Sequence, residues 1–172
     1  MPIFTPITHD SFVDQVRALA AQIGPDSDWR PDFIIGIGRG GLVPAVFLSH
    51  ASGLPTLSVD YSSQVDDFAR APLERLAERT RNGEKLLLVD DINDTGGTIE
   101  RIRALLVGHG ADMAAVRIAT LIDNVRSAAR VDYRAEKIDR SVTKDWFVFP
   151  WEAVAPAATL EADAAEVPER IA

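Results

Sequence analysis

Four short aliphatic runs recur along this chain, and each of the first three is followed by a turn or loop and a stretch of helical period. They are FIIGI (33–37), TLSVD (56–60), KLLLV (85–89) and AAVRIATLI (114–122). Runs of this length without polar alternation suit strands buried on both faces. The intervening stretches predict a helix over 42–52 (LVPAVFLSHAS, stopped by GLP at 53–55), another near 72–80, and a third from Thr98 to Val107. An earlier helix is expected from a Thr8 cap to Gln22, with Phe12, Val13, Val16, Leu19 and Ala20 on one face. Strands and helices alternating in this way predict an α/β fold, a parallel sheet flanked by helices. GPDSDWRPD reads as a linker, and GRGG (38–41) as the turn after the first strand.

After Ile122 the alternation stops. VDYRAEKIDRSVTKDWFVFPWE predicts a small irregular lobe or an extension of the sheet edge over 123–152, and the Ala-rich, acidic, Pro-interrupted 153–172 predicts a flexible tail with one short helix at most. The organisation expected is thus an α/β core over 1–122, the aromatic segment over 123–152, and the tail.

A chain of 172 residues, 47% hydrophobic, builds one domain with a real core. Its net charge of −8 argues against a nucleic-acid or anionic-membrane surface, although a local pocket or a bound cation can still receive a small phosphorylated ligand. The absence of Cys removes disulfides, thiolate catalysis and Cys-based zinc sites, and His9, His50 and His109 are too scattered for a metal cluster. With no signal segment and no long apolar run, a cytoplasmic location is expected.

Residues 89–98, VDDINDTGGT, collect Asp90, Asp91 and Asp94 where a greasy strand gives way to a helix. Open parallel sheets bind ligands at the carboxyl ends of their strands. Carboxylates there accept hydrogen bonds from sugar hydroxyls or hold Mg²⁺, while DTGGT offers free amides, hydroxyls and a helix N-terminus to a phosphate. An ordinary turn, with Asp94 or Thr95 capping the helix, explains single residues but not the string, because adjacent carboxylates repel. The string fits a sugar phosphate.

LLLVDDINDTGGT resembles the phosphoribosyl-pyrophosphate (PRPP) signature of the type I phosphoribosyltransferases. The resemblance implies that Asp90 and Asp91 bind the ribose hydroxyls and share the metal, and that Thr95, Gly96, Gly97 and Thr98 hold the 5′-phosphate. An acid at Asp94 marks the branch acting on 6-oxopurines (xanthine, guanine, hypoxanthine), where it contacts N7 and serves as the base. GRGGLVP resembles the pyrophosphate loop of bacterial xanthine–guanine enzymes, which assigns Gly38, Arg39 and Gly40 to the leaving group; that loop often carries a non-proline cis peptide. The stretch 61–71 resembles the loop that closes over the substrate, with Tyr61 as its tyrosine, although Asp60 stands where a Ser is usual. A dinucleotide-binding reading of Gly36, Gly38 and Gly41, with Asp60 about 20 residues on, leaves DDINDTGGT unexplained and puts Arg39 in a crowded turn.

DWFVFPWE (145–152) reads as a strand with Phe147 and Phe149 on one side and Trp146 on the other, where its ring would offer a face for a planar base to stack on. It also resembles the hood of the 6-oxopurine enzymes, which implies that Trp146 stacks, that Phe147 meets the base edge through its backbone, and that Glu152 stands near the metal. One position departs. Where those enzymes place a Lys that donates to the purine O6, this chain has Asp123, which only accepts. Asn124, or Lys137 or Lys144 from the hood, are the substitutes the sequence offers. The resemblance as a whole implies an Mg²⁺-dependent transferase using PRPP and a free purine base, releasing pyrophosphate and assembling as a homodimer or homotetramer. The competing readings are a sensor of PRPP or of a nucleotide with little turnover, and a transferase that, with Asp123 in that position, takes a base presenting an amino group or one outside the standard set.

Overall fold

The computed structural model describes residues 3–24, 28–60 and 70–165. In chain order the elements are β1 (Phe4–Pro6), α1 (His9–Gln22), β2 (Phe33–Ile37), α2 (Gly38–Ser52), β3 (Thr56–Val59), α3 (Arg70–Arg81), β4 (Leu86–Asn93), α4 (Gly97–Gly108), a 3₁₀ turn (Met113–Ala115), β5 (Val116–Asn124), β6 (Tyr133–Ile138), β7 (Trp146–Val148) and α5 (Ala157–Ala165). Five strands form an all-parallel sheet in the order β3-β2-β4-β5-β6.

Alternation along the strands divides the core in two. Ile34, Leu87 and Val89 face α1 and α2, where Phe12, Val16, Leu19, Ala45 and Leu48 meet them. Ile35, Leu86 and Leu88 face α3 and α4, against Leu73, Leu76, Ile99, Ile102 and Leu106. With apolar helices on both faces, the strands need no polar side, which is why their sequences read as unbroken aliphatic runs. α1 begins where expected, its Thr8 hydroxyl accepting from the Ser11 amide at 3.1 Å.

Three local expectations change. GRGG is not a free turn but the first turn of α2. β4 continues past Val89 to Asn93, because its last residues still pair with β5 (Ile92↔Ile122, Asn93↔Asp123). Residues 114–115 belong to the 3₁₀ turn, where the Asp112 side chain accepts from the Ala114 amide, so β5 starts at Val116 and ends at Asn124. Beyond Ile122, β6 extends the sheet at its edge. β7 pairs instead with β1, in the register Phe4↔Trp146, and the Thr5 hydroxyl donates to Asp145 at 2.5 Å beside that pairing. The tail contributes the short α5. Among the described residues no helix is long and apolar enough to cross a membrane.

Candidate active site at the switch point of the sheet

From β2 the chain crosses first to β3 on one side and then to β4 on the other. The direction of winding therefore reverses between β2 and β4, and a crevice opens beyond their carboxyl ends. A cavity of about 1100 Å³ occupies that crevice, with Gly38–Gly40 along one wall and Asp90–Ile99 along another. Two helices begin at it. Neither α2 nor α4 has a side-chain bond from its N-cap residue, and the Gly97 amide makes only a long contact of 3.4 Å to the Thr95 hydroxyl, so both first turns can offer amides to anions.

The glycines of GRGG have a steric cause. A Cβ on Gly41 would stand 2.0 Å from the Val89 carbonyl oxygen, and one on Gly40 would stand 2.4 Å from a carboxylate oxygen of Asp91. The start of α2 thus lies directly on the end of β4, and any side chain there would lift it off. Every described peptide bond is trans, including those of this turn. Arg39, between the glycines, is exposed and lines the cavity.

Asp90 and Asp91 lie on the last stretch of β4, and Asp91 points under Gly40. Asp90 is buried, 8% exposed. Its carboxylate accepts from the Asp91 amide at 3.1 Å, and that of Asp91 accepts from the Ile92 amide at 2.7 Å. Burial, reinforced by the charge of Asp91, holds the Asp90 carboxyl well above the usual range, against the opposing pull of that amide. The pair stores electrostatic cost that a cation or hydroxyl donors would relieve.

Past Asn93 the loop turns on Gly96, whose φ of 93° is left-handed and whose missing Cβ would meet the Ala129 amide nitrogen at 2.5 Å. Thr95, Gly97 and Thr98 line the cavity beside it. Asp94 does not cap α4. Its carboxylate is taken by Arg140, with Nε 3.1 Å from both oxygens and Nη2 2.8 Å from Oδ2, in a buried ion pair.

Asp123 plays no part in the cavity wall. It accepts from Asn93 Nδ2 at 2.8 Å and from Arg134 Nη1 at 3.1 Å, bracing the β4–β5 end. Asn124 is also committed, donating to the Asp94 carbonyl at 2.9 Å and accepting from the Arg140 amide at 3.2 Å. Lys137 and Lys144 do not reach the cavity either. None of the four residues weighed from sequence as the partner of the purine O6 lines the cavity; Arg140 does.

Trp146 and Phe147 line the opposite side, followed by Phe149, Trp151 and Glu152. Phe149 and Trp151 stack on each other at 4.8 Å and 8°, and Trp151 meets Phe12 edge-on at 5.3 Å, so these two close the core edge. Glu152 accepts from the Phe149 amide at 2.9 Å. Burial raises its carboxyl, with Asp163 adding to the rise while the Phe149 amide and Arg39 oppose it. Tyr61 and the rest of 61–69 lie outside the described residues. Sequence reasoning missed Arg140, Arg101 and the α5 residues Thr159, Leu160 and Asp163, all of which line the cavity. α5 falls in a segment read as tail, and Arg140 in KIDRSVTKD, which has no usable period.

Asp90, Asp91 and Glu152 are not drawn into one ready-made cluster; among the described residues no three such side chains are grouped to hold a metal. The donor set nevertheless fits Mg²⁺, a hard cation that takes one or two carboxylates and completes its shell with water and substrate phosphates. A cation there would offset the repulsion from Asp91 that, together with burial, raises the Asp90 carboxyl.

Known structures share this fold. A purine phosphoribosyltransferase from Pyrococcus horikoshii OT3 is 27% identical, the match covering 87% of this chain and 94% of that one with a TM-score of 0.61. A xanthine-guanine-hypoxanthine phosphoribosyltransferase from Helicobacter pylori shares the fold at 18% identity (92% and 99% covered, TM-score 0.63). So does a Neisseria gonorrhoeae protein solved with bound ppGpp, at 23% identity (96% and 98%, TM-score 0.68). The sequence profile of the phosphoribosyl transferase domain matches residues 7–156, a span that takes in the sheet, both helix starts and the aromatic wall. On that match and this architecture, the chain belongs to the phosphoribosyl transferase domain family, on the type I fold.

Proposed function

We propose that the protein transfers the 5-phosphoribosyl group of PRPP to the ring nitrogen of a free 6-oxopurine (xanthine, guanine or hypoxanthine), releasing pyrophosphate. One observation carries this reading: two helix N-termini without N-cap side-chain bonds and a carboxylate pair, Asp90 buried and Asp91 half-buried, face a single cavity whose far wall is aromatic. Two anion cradles on either side of a sugar-binding acid pair are what a pentose with a phosphate at one end and a diphosphate at the other requires.

In this reading the Thr95–Thr98 loop and the start of α4 hold the 5′-phosphate, and Asp90 and Asp91 accept from the ribose 2′- and 3′-hydroxyls. Gly38, Arg39 and Gly40 receive the pyrophosphate as the C1–O bond breaks. Mg²⁺, held by the substrate together with Asp90 or Asp91 and with Glu152 nearby, would draw off the charge that develops on the leaving group. Trp146 stacks the base, and Phe147 meets its edge. Asp94 faces N7 and holds or takes its proton; general-base assistance of this kind is typically worth about 10²–10⁴-fold. Tyr61 and its neighbours would close over the substrate and keep water from the cationic ribose. A homodimer or homotetramer in the cytoplasm, divided into core, hood and tail at residues 122 and 152, completes the proposal.

The test is incubation with Mg²⁺, PRPP and a panel of free bases, with nucleotide and pyrophosphate both quantified. Nucleotide from a 6-oxopurine, with equimolar pyrophosphate, supports the proposal. A second reading, a nucleotide sensor with little turnover, draws on the Neisseria relative solved with bound ppGpp. Tight binding of ppGpp or PRPP with no pyrophosphate released from any base would favour it.

A further inference from the structure

Arg140 has no role in the reaction outlined above, yet it is buried against its central acid. It rises from the turn between β6 and β7 and is 5% exposed. Nε and Nη2 grip Asp94, while Nη1 donates to the carbonyls of Thr143 at 3.2 Å and Asp145 at 2.6 Å. A guanidinium carries five N–H groups. Those contacts use four, so one hydrogen on Nη2 has no acceptor among the described residues.

The group is also held from behind. Asn124 bonds the Asp94 carbonyl through its amide and the Arg140 amide through its oxygen, so one side chain fixes both ends of the ion pair. The turn carrying Arg140 is braced by Asp139, which accepts from Ser141 and from Arg126. The Phe147 ring lies 5.2 Å below the guanidinium. Its orientation is therefore set before a ligand arrives, and the cavity wall presents an acceptor, Asp94, directly beside an unfilled donor.

An acceptor beside a donor reads a donor beside an acceptor. The edge of a 6-oxopurine protonated at N7 has that order, N7–H next to O6, whereas adenine offers an amino donor at the 6-position. A buried N–H left unmet keeps its desolvation cost without the compensating hydrogen bond. An oxo group would satisfy it, and an amino group would be pressed against it. The position from which a lysine would otherwise reach O6 is Asp123, and that residue is spent on Asn93 and Arg134.

Resting on the phosphoribosyltransferase reading, we propose that Arg140 is the base-discriminating residue: it donates its remaining Nη2 hydrogen to the 6-oxygen of the purine while positioning Asp94 at N7. The cation that selects the base comes from the hood turn, not from the end of β5.

The test compares wild type with Arg140→Gln and Arg140→Lys, using hypoxanthine, guanine and adenine with PRPP and Mg²⁺. Affinity for PRPP alone is measured separately. In the Gln variant the ratio of kcat/KM for hypoxanthine over adenine falls by about 10- to 100-fold, the range expected for one lost directional contact. Base KM rises while PRPP affinity stays within about 2-fold, and Lys restores part of the ratio as a charge without the fork. If Arg140 only braces the fold, kcat and PRPP affinity drop together and the ratio holds, which overturns the proposal. Should the Gln variant not fold, the Lys variant is read by the same ratio. Wild-type enzyme that uses adenine as well as hypoxanthine overturns it with no variant at all. Wild type that binds PRPP but turns over no base refutes the transferase reading and this inference with it; turnover with an unchanged ratio removes Arg140 alone.

Discussion

Replacing Asp90 by Asn should make the free protein more stable and the ligand-binding protein worse. The side chain is buried beside a second carboxylate, and the Asp91 amide donates to an oxygen that Asn retains. Removing one charge from such a pair, with shape preserved, should stabilise by about 1–2 kcal/mol. For a chain of this length each kcal/mol moves Tm by about 2–4 °C, so a rise of about 2–8 °C at pH 7.5 is expected. The sign with pH follows from the direction of the shift. A carboxyl raised in the folded state destabilises that state fully above its folded pKa, and protonation relieves the penalty as pH falls towards the unfolded value. The advantage of the variant must therefore shrink on acidification. Thermal unfolding from pH 7.5 down to 5, with and without Mg²⁺ and PRPP, checks both halves. Wild type gains stability from the ligand as RT ln(1 + [L]/Kd), and the variant should lose most of that gain. A variant less stable than wild type without ligand, or one with a full ligand-induced shift, would refute the electrostatic account of the acid pair.

The remaining predictions concern the walls of the cavity. Gly41→Ala places a methyl 2.0 Å from the Val89 carbonyl oxygen and must push α2 off β4, so a loss of about 3 kcal/mol or more is expected in denaturant unfolding. Asp123→Lys, which restores the residue type that the family resemblance places there, should lower stability by about 2–4 kcal/mol by breaking the Asn93 and Arg134 contacts. Steady-state kinetics should then find no improvement in its KM for a 6-oxopurine. Trp146→Ala should weaken binding of the base by about 1–3 kcal/mol while PRPP binding is retained, and calorimetric titration of each ligand separates the two.

Much of the frame was legible because burial on both sheet faces leaves a local mark. Ile34 and Ile35 face opposite helix layers yet both need to be aliphatic, and the same holds for Leu87 and Leu88. Asp90, Asp91 and Asp94 stand out for the opposite reason, as acids at the end of an aliphatic strand, and all three line the cavity. What misled the local reading was the GRGG segment. Glycine and arginine signal a turn, but here tertiary contact dictates helix, because only glycines allow the first turn of α2 to lie on Val89 and Asp91.

The identity of the discriminating cation was not legible, and the cause is geometric. Periodicity reports on neighbours three, four or two residues apart, whereas Arg140 and Asp94 are 46 positions apart and meet only because the β6–β7 turn folds back over β4. A register argument starting from Asp123 finds a carboxylate where a donor is expected and stops there. In three dimensions the shortage is resolved, since a guanidinium buried beside Asp94 brings its charge to the same wall from another root. If the cavity must present a donor next to Asp94, its position in space is constrained and its position in sequence is not. Substitution at Arg140 should then change which base is chosen, whereas substitution at Asp123 should change only whether the chain folds.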